Sequence, residues 1–214
     1  MIVGDFGTSF TKILDTTTGE RRITPSRFVR NLGVDIATGH NAGLHSAKTV
    51  GELVAMAHGG MRLVGKDFNL LDIGSRDMKY IEVKGGKVAR MDWNSQCGAM
   101  TGFTLELLGN YFGLDFNSLR PSQKEYPLTC GVLGLERVFD DMAQGLSAEE
   151  TVSRFARGLA LSAYRFIGKP SIFYLSGGMC DNPLFLRSFP ADVKVIPLGR
   201  FVLVEGLLEE LEKN

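Results

Sequence analysis

The chain has 214 residues, 44% of them hydrophobic, which is enough for a substantial core in one domain or in two small lobes. Acidic and basic side chains number 24 each, so the formal net charge is zero and no basic run supplies the footprint of a nucleic-acid binder. No apolar run approaches the roughly 20 residues of a membrane helix, and the opening MIVGDFGTSF has no basic leader ahead of an apolar segment, so the expectation is a cytoplasmic protein without a membrane partner.

Residues 2–3 lead into Gly4-Asp5-Phe6-Gly7-Thr8-Ser9-Phe10-Thr11-Lys12 and on to residues 13–15, which reads as strand, glycine- and hydroxyl-rich turn, strand. Such a turn suits a phosphate. Asp5 would reach a magnesium ion through water, Gly7, Thr8 and Ser9 would offer backbone and hydroxyl donors, and Lys12 would bring charge to a phosphate oxygen. An ordinary hairpin with a polar tip fits the same letters equally well. Residues 22–29 and 34–38 continue as strands of the same sheet, with a loop at 39–43. Thr49-Val50-Gly51-Glu52 has capping-box form and opens a helix to about Leu63. His40, His45 and His58 lack metal-ligand spacing and read as surface or capping residues.

Residues 69–73 form a short apolar run that includes Asp72, followed by Gly74-Ser75 and by strand-period alternation over 78–83. This is a second acidic phosphate turn, with Gly74 letting the backbone approach closely and Asp72 placed to hold hydrated magnesium. Lys84-Gly85-Gly86-Lys87 makes a hairpin turn and residues 88–93 return as a strand. Ser95-Gln96-Cys97-Gly98 then opens a helical pattern, so Cys97 falls at a helix N-terminus, where the helix dipole favours a thiolate. That helix carries Phe103, Leu107 and Tyr111 on one stripe and Leu105, Leu108 and Phe112 beside it, ending at Gly113, and these side chains read most simply as core.

Residues 115–125 form a polar connecting loop, after which Tyr126-Pro127-Leu128-Thr129 leads to Cys130 and a helix through Val132, Leu135, Val138, Phe139 and Met142 to Gly145. Cys130 therefore repeats the placement of Cys97. Ser147-Ala148-Glu149-Glu150 is a further capping box, opening a helix with Val152, Phe155, Leu159, Ala163 and Phe166 on its apolar face. Residues 171–175 are a buried-type strand running straight into Ser176-Gly177-Gly178-Met179, with Asn182-Pro183 opening a short helix. Gly177 and Gly178 could let an adenine or ribose lie flat against the backbone. Residues 193–197 are a last strand, and residues 202–211 a last helix expected to pack back on the amino-terminal sheet.

The set DFGTSFTK, DIGSRD and LSGGM, in that order, resembles the ATPase superfamily shared by actin, the sugar kinases and the heat-shock chaperones. That resemblance implies an α/β, two-lobed actin-like (ribonuclease H-like) fold with mixed sheets flanked by helices. The first lobe would be residues 1–67, completed by 202–214, and the second residues 68–201. Three cysteines, Cys97, Cys130 and Cys180, are too few for a disulfide framework, but an iron–sulfur cube needs four thiolates. Two chains about a twofold axis, each giving Cys97 and Cys130, would supply them.

More narrowly, the chain resembles the activators (component A) of 2-hydroxyacyl-CoA dehydratases, grouped with the ATPase subunits of benzoyl-CoA reductase. The matching residues are Gly4 to Lys12, Ala37-Thr38-Gly39, Glu52 with Ala57 and His58, Asp72 to Lys79, Cys97 with Thr101, Gly102 and Glu106, Cys130, and Ser176 to Pro183. The resemblance implies a homodimer with a bridging [4Fe-4S] cluster on Cys97 and Cys130, drawing electrons from a donor such as ferredoxin or flavodoxin. ATP hydrolysis would drive a low-potential electron to a partner reductase or dehydratase. By position, Asp5 and Asp72 would be the magnesium-linked catalytic residues, and Gly7, Thr8, Ser9, Lys12, Gly74, Ser75, Gly177 and Gly178 would contact the nucleotide.

Three departures mark a divergent branch. Arg76 stands where the family usually has a glutamine that could position the attacking water. Leu135 takes an acidic position, with Glu136 displaced by one. The segment before Thr49 is shorter than usual. Two other readings remain open: a small-molecule kinase of the same superfamily, and a nucleotide-sensing scaffold that binds ATP without turning it over, which Arg76 favours. Cys180 reads as an ordinary buried thiol.

Overall fold

The computed structural model describes residues 1–30, 32–94, 102–128 and 130–212. The chain divides into two compact units, Met1–Leu70 with Ile81–Asp92 and Leu198–Asn214, and Leu71–Tyr80 with Trp93–Pro197.

In the first unit, β1 (Ile2–Phe6), β2 (Phe10–Asp15), β3 (Arg21–Pro25) and β4 (Ile36–Thr38) form a sheet in the order β3-β2-β1-β4. The β1–β2 and β2–β3 pairs are antiparallel and β1–β4 is parallel. Strand pairing reaches further into the glycine- and hydroxyl-rich motif than its letters indicate: Asp5 and Lys12 are opposite each other in the ladder, and only residues 7–9 form the turn. Two strand expectations are shortened. β3 stops at Pro25, which is followed by a 3₁₀ turn at Ser26–Phe28. β4 begins only at Ile36, the amide of Val34 being taken by the His45 carbonyl at 2.9 Å.

Helix α1 (Glu52–Leu63) forms where expected but without the capping box. The extended backbone bridges Ala37 and Thr49, and Val50 N–H donates to the Ala37 carbonyl at 2.9 Å. Helical geometry therefore starts two residues later, with Gly51 as the N-cap and no side-chain bond there. Helix α6 (Val202–Glu212) packs on α1 and on the amino-terminal sheet. Gly59 and Gly206 make the helix contact possible, because a Cβ on either would run into a carbonyl oxygen of the opposing helix.

The strands β5 (Phe68–Ile73), β6 (Met78–Lys84), β7 (Lys87–Asn94), β8 (Ile172–Ser176) and β9 (Lys194–Gly199) form a sheet in the order β7-β6-β5-β8-β9. The core of the second unit gathers Tyr80, Phe155, Leu159, Phe173, Leu175 and Phe185, all fully buried. Its helices are α2 (Gly102–Phe112), α3 (Gly131–Ala143), α4 (Ala148–Phe166) and the short α5 (Pro183–Arg187). Ser147 caps α4 by accepting from the Glu150 N–H, as its motif predicts, and Asn182 caps α5 the same way from Phe185.

Helix α2 corrects the expectation of an all-core apolar surface. Leu105 and Leu108 are buried, but Phe103, Leu107 and Tyr111 are 46%, 49% and 75% exposed. The helix buries the face that carries Thr104 and Gly109, and the neighbouring stripe stays outside. On α3, Val132, Leu133 and Phe139 are exposed as well, with the Phe139 ring 6.2 Å from that of Tyr111. None of the described helices is long and apolar enough to cross a membrane.

Candidate functional site

The first candidate phosphate turn is built on a row across three strands. Asp5 pairs with Lys12 on β2 and with Thr38 on β4, and directly paired residues present their side chains on one face of a sheet. Lys12 Nζ donates to Asp5 Oδ2 at 2.8 Å, and both side chains are largely buried. Thr38 is fully buried, and its hydroxyl has no hydrogen-bond partner among the described residues. Buried polar groups are nearly always satisfied, so such an orphan calls for a reason.

Gly39 closes the row from the far side. Its φ is +96°, and a Cβ there would sit 2.6 Å from Asp5 Oδ1, so only glycine lets the backbone come this near the carboxylate. Of the turn itself, Thr8 is exposed, while Gly7 and Ser9 are half-buried. Ser26, which the motif did not reveal, braces it from the 3₁₀ turn after β3. Its hydroxyl donates to the Gly7 carbonyl at 2.7 Å and its amide to the Ser9 carbonyl at 2.9 Å.

The second turn lies between β5 and β6. Gly74 N–H donates to the Asp77 carbonyl at 3.1 Å, closing a hairpin whose tip is half-buried Ser75 and exposed Arg76. Asp72 is buried and accepts from Ser176 Oγ at 2.6 Å. Gly177 has φ +85° and ψ −173°, a region essentially reserved for glycine. A Cβ there would run into the Ile73 carbonyl and lie 3.1 Å from Asp72 Oδ2. The two glycines therefore differ: Gly177 is buried and lets β8 turn beside β5, whereas Gly178 is exposed with open space about it. The open face that a base or ribose needs belongs to Gly178.

Behind this hairpin Lys79, almost fully buried, gives Nζ to Asp77 Oδ1 at 2.6 Å. Trp93 Nε1 donates to Asp77 Oδ2 at 3.0 Å, and Lys79 Nζ lies 4.9 Å from the indole centroid. Asp77, Lys79 and Trp93 were not singled out as site residues by sequence. The two-residue spacing of Asp77 and Lys79 at the entry to β6 was the signal those two offered, and Trp93 offered none.

Cys130 is the N-cap of α3, half-buried, with its carbonyl accepting from Gly134 N–H at 3.0 Å. Cys97 lies outside the described residues, and so does the helix start predicted for it. Cys180 is buried, with Sγ 3.4 Å from Asp181 Oδ1. Among the described residues no three His, Cys, Asp or Glu side chains come together as a metal site. A partly exposed thiol at a helix N-terminus fits a cluster shared between copies better than one enclosed in a single chain. For hydrated magnesium and phosphate, buried Asp5 with the Lys12 ammonium and the orphaned Thr38 hydroxyl is a fitting donor set within the first unit, and buried Asp72 is a fitting carboxylate within the second. His45 stacks on Phe6 with ring centroids 3.9 Å apart, and its Nδ1 lies within hydrogen-bond distance of the Leu32 carbonyl.

No family model matches the chain. Its sequence is 24% identical over 167 residues to the (R)-2-hydroxyglutaryl-CoA dehydratase activating ATPase of Acidaminococcus fermentans, the match covering 72% of this chain and 64% of that protein. The matched stretch thus spans less than two-thirds of that relative's length. In structure it is similar to the activator of the 2-hydroxyisocaproyl-CoA dehydratase from Clostridium difficile with bound ADPNP, with a TM-score of 0.78 and 18% identity over 100% of this chain and 97% of that one. Component A of the Acidaminococcus fermentans dehydratase gives a TM-score of 0.77 and 17% identity, covering 97% and 94%. These likenesses show the fold, α/β with mixed sheets flanked by helices, of the actin-like ATPase and sugar-kinase kind. The resemblance read from the motifs is found again in these comparisons.

Proposed function

We propose that this chain, similar in sequence and fold to the activators of 2-hydroxyacyl-CoA dehydratases, is an ATP-dependent activator that binds ATP with magnesium and delivers a low-potential electron to a partner reductase or dehydratase. The observation that carries the nucleotide part is the orphaned, fully buried Thr38 hydroxyl in register with the Asp5–Lys12 pair, in a row that only glycine at position 39 permits. In this reading Lys12 leaves Asp5 for a phosphate oxygen. Asp5 and Asp72 would each hold hydrated magnesium, while Gly7, Thr8, Ser9 and the Gly74-Ser75 turn meet phosphates, and Gly178 receives the adenosine while Gly177 makes the turn ahead of it.

The electron part rests on Cys130 at the start of α3 and on the sequence placement of Cys97. Two copies would hold one [4Fe-4S] cluster through these four thiolates, and the cluster, when bound, supplies the electron. The exposed Phe103, Leu107, Tyr111, Val132, Leu133 and Phe139 on α2 and α3 support a partner-facing surface on the helix that Cys130 opens and on its neighbour. An electron donor of the ferredoxin or flavodoxin kind and a cytoplasmic setting complete the reading, with residues 1–67 and 202–214 as one lobe and residues 68–201 as the other.

Anaerobic purification tests it. A brown dimer with about four irons, colourless after Cys97→Ala or Cys130→Ala, is the expected result. Iron content untouched by both substitutions overturns the electron-transfer reading. A second reading, binding of ATP without turnover, is favoured by exposed Arg76 at the hairpin tip, which can pair with a phosphate oxygen but has no acceptor with which to orient an attacking water. Colourless protein that binds ATP and does not hydrolyse it would select that reading, and hydroxyl-dependent ATP consumption would select a small-molecule kinase.

A further inference from the structure

Trp93 is the chain's single tryptophan, and at 51% exposure it is not a core residue. It sits near the end of β7, yet both of its interaction modes are spent on the second phosphate turn. The indole N–H donates to Asp77 Oδ2, and the ring face lies under the Lys79 ammonium. Asp77 is the junction. Its backbone carbonyl closes the hairpin with Gly74, Oδ1 takes Lys79, and Oδ2 takes Trp93.

A buried ammonium requires its counter-charge in good geometry. An indole N–H on the second carboxylate oxygen fixes the plane of that carboxylate, and with it the place of Lys79. We propose that Trp93 is a positioning residue of the second phosphate turn: it sets Asp77 and Lys79 behind the Ser75-Arg76 tip, and its environment changes when a nucleotide phosphate engages that tip. This deepens, and rests on, the nucleotide-binding reading above. The physical route is short. A phosphate at the tip attracts the Lys79 ammonium and repels the Asp77 carboxylate, and any shift of either changes the hydrogen bond and the charge at the indole ring. β7 is also the strand that leads, in sequence, towards Cys97.

The test uses the whole chain and its only tryptophan. Calorimetry with MgATP is run beside a titration of tryptophan emission, and then repeated by calorimetry on Trp93→Phe, which keeps a ring for Lys79 but removes the N–H. The expected result is a saturable emission change in the wild-type protein with the calorimetric midpoint. Trp93→Phe should bind MgATP about three- to tenfold more weakly, a fraction of the worth of one hydrogen bond to a charged group, with only a small fall in melting temperature. A purely structural tryptophan would move the melting temperature instead. Emission indifferent to saturating MgATP, or wild-type affinity in Trp93→Phe, overturns the assignment while leaving nucleotide binding standing. Absence of any MgATP binding by the wild-type protein overturns both.

Discussion

The two acidic glycine turns are written in nearly the same letters and are wired differently. Asp5 and Asp72 are buried to almost the same degree, 5% and 7% exposed. Asp5 faces an ammonium, Lys12, whereas Asp72 faces a hydroxyl, Ser176. Burying a carboxylate beside a cation offsets much of its desolvation cost within the pair. A hydroxyl satisfies a lone pair but leaves the charge. On the proposed reading Asp72 would therefore keep a stronger demand for an external cation, and Asp5 would meet one only after a phosphate had drawn Lys12 away. The two turns share the D-x-G pattern, and the partner of each aspartate distinguishes them.

The sharpest way to break the comparison is to remove what holds Asp72 in place. Gly177→Ala puts a methyl group into the Ile73 carbonyl at φ +85°, and should cost about 3 kcal/mol or more, read as a lower midpoint of urea unfolding. Next in size is Asp72→Asn, which keeps an acceptor for Ser176 and removes the charge. MgATP affinity should fall about a hundredfold, or about 2.8 kcal/mol, while metal-free ATP binds as before. Asp5→Asn should cost only about tenfold, because the Lys12 it releases remains available to phosphate. Equal losses in the two variants, measured by calorimetry over a magnesium series, would erase the difference between the two aspartates.

Much of this was legible in the letters. Strand period and turn chemistry placed β1, β2, β5 and β6 around both turns, and Ser147 and Asn182 marked their helix starts. What was not legible depends on contacts distant in sequence. On α2 both apolar stripes fit a helical period equally, and only the packing of Leu105 and Leu108 into the second core decides that Phe103, Leu107 and Tyr111 stay out. Thr49 looked like a cap because pattern alone cannot see the Ala37 bridge that holds its backbone extended. Ser26 and Trp93 carry no motif at all, and each matters through partners distant in sequence, Gly7 and Ser9 in one case and Asp77 and Lys79 in the other.

The smallest predicted effect probes the end of the first row. Thr38 is fully buried with an orphaned hydroxyl, and an unsatisfied buried group of this kind costs about 1–3 kcal/mol. Thr38→Val exchanges that hydroxyl for a methyl group of similar shape. The unliganded protein should therefore become more stable, by about 1 kcal/mol, seen as a higher urea midpoint. If the hydroxyl serves a magnesium-bound water beside Asp5, the same variant should lose about three- to tenfold in MgATP affinity. A gain in stability coupled to a loss in binding is the signature of a polar group kept for its ligand. Stability gained with affinity unchanged would mean that the row of donors ends at Asp5.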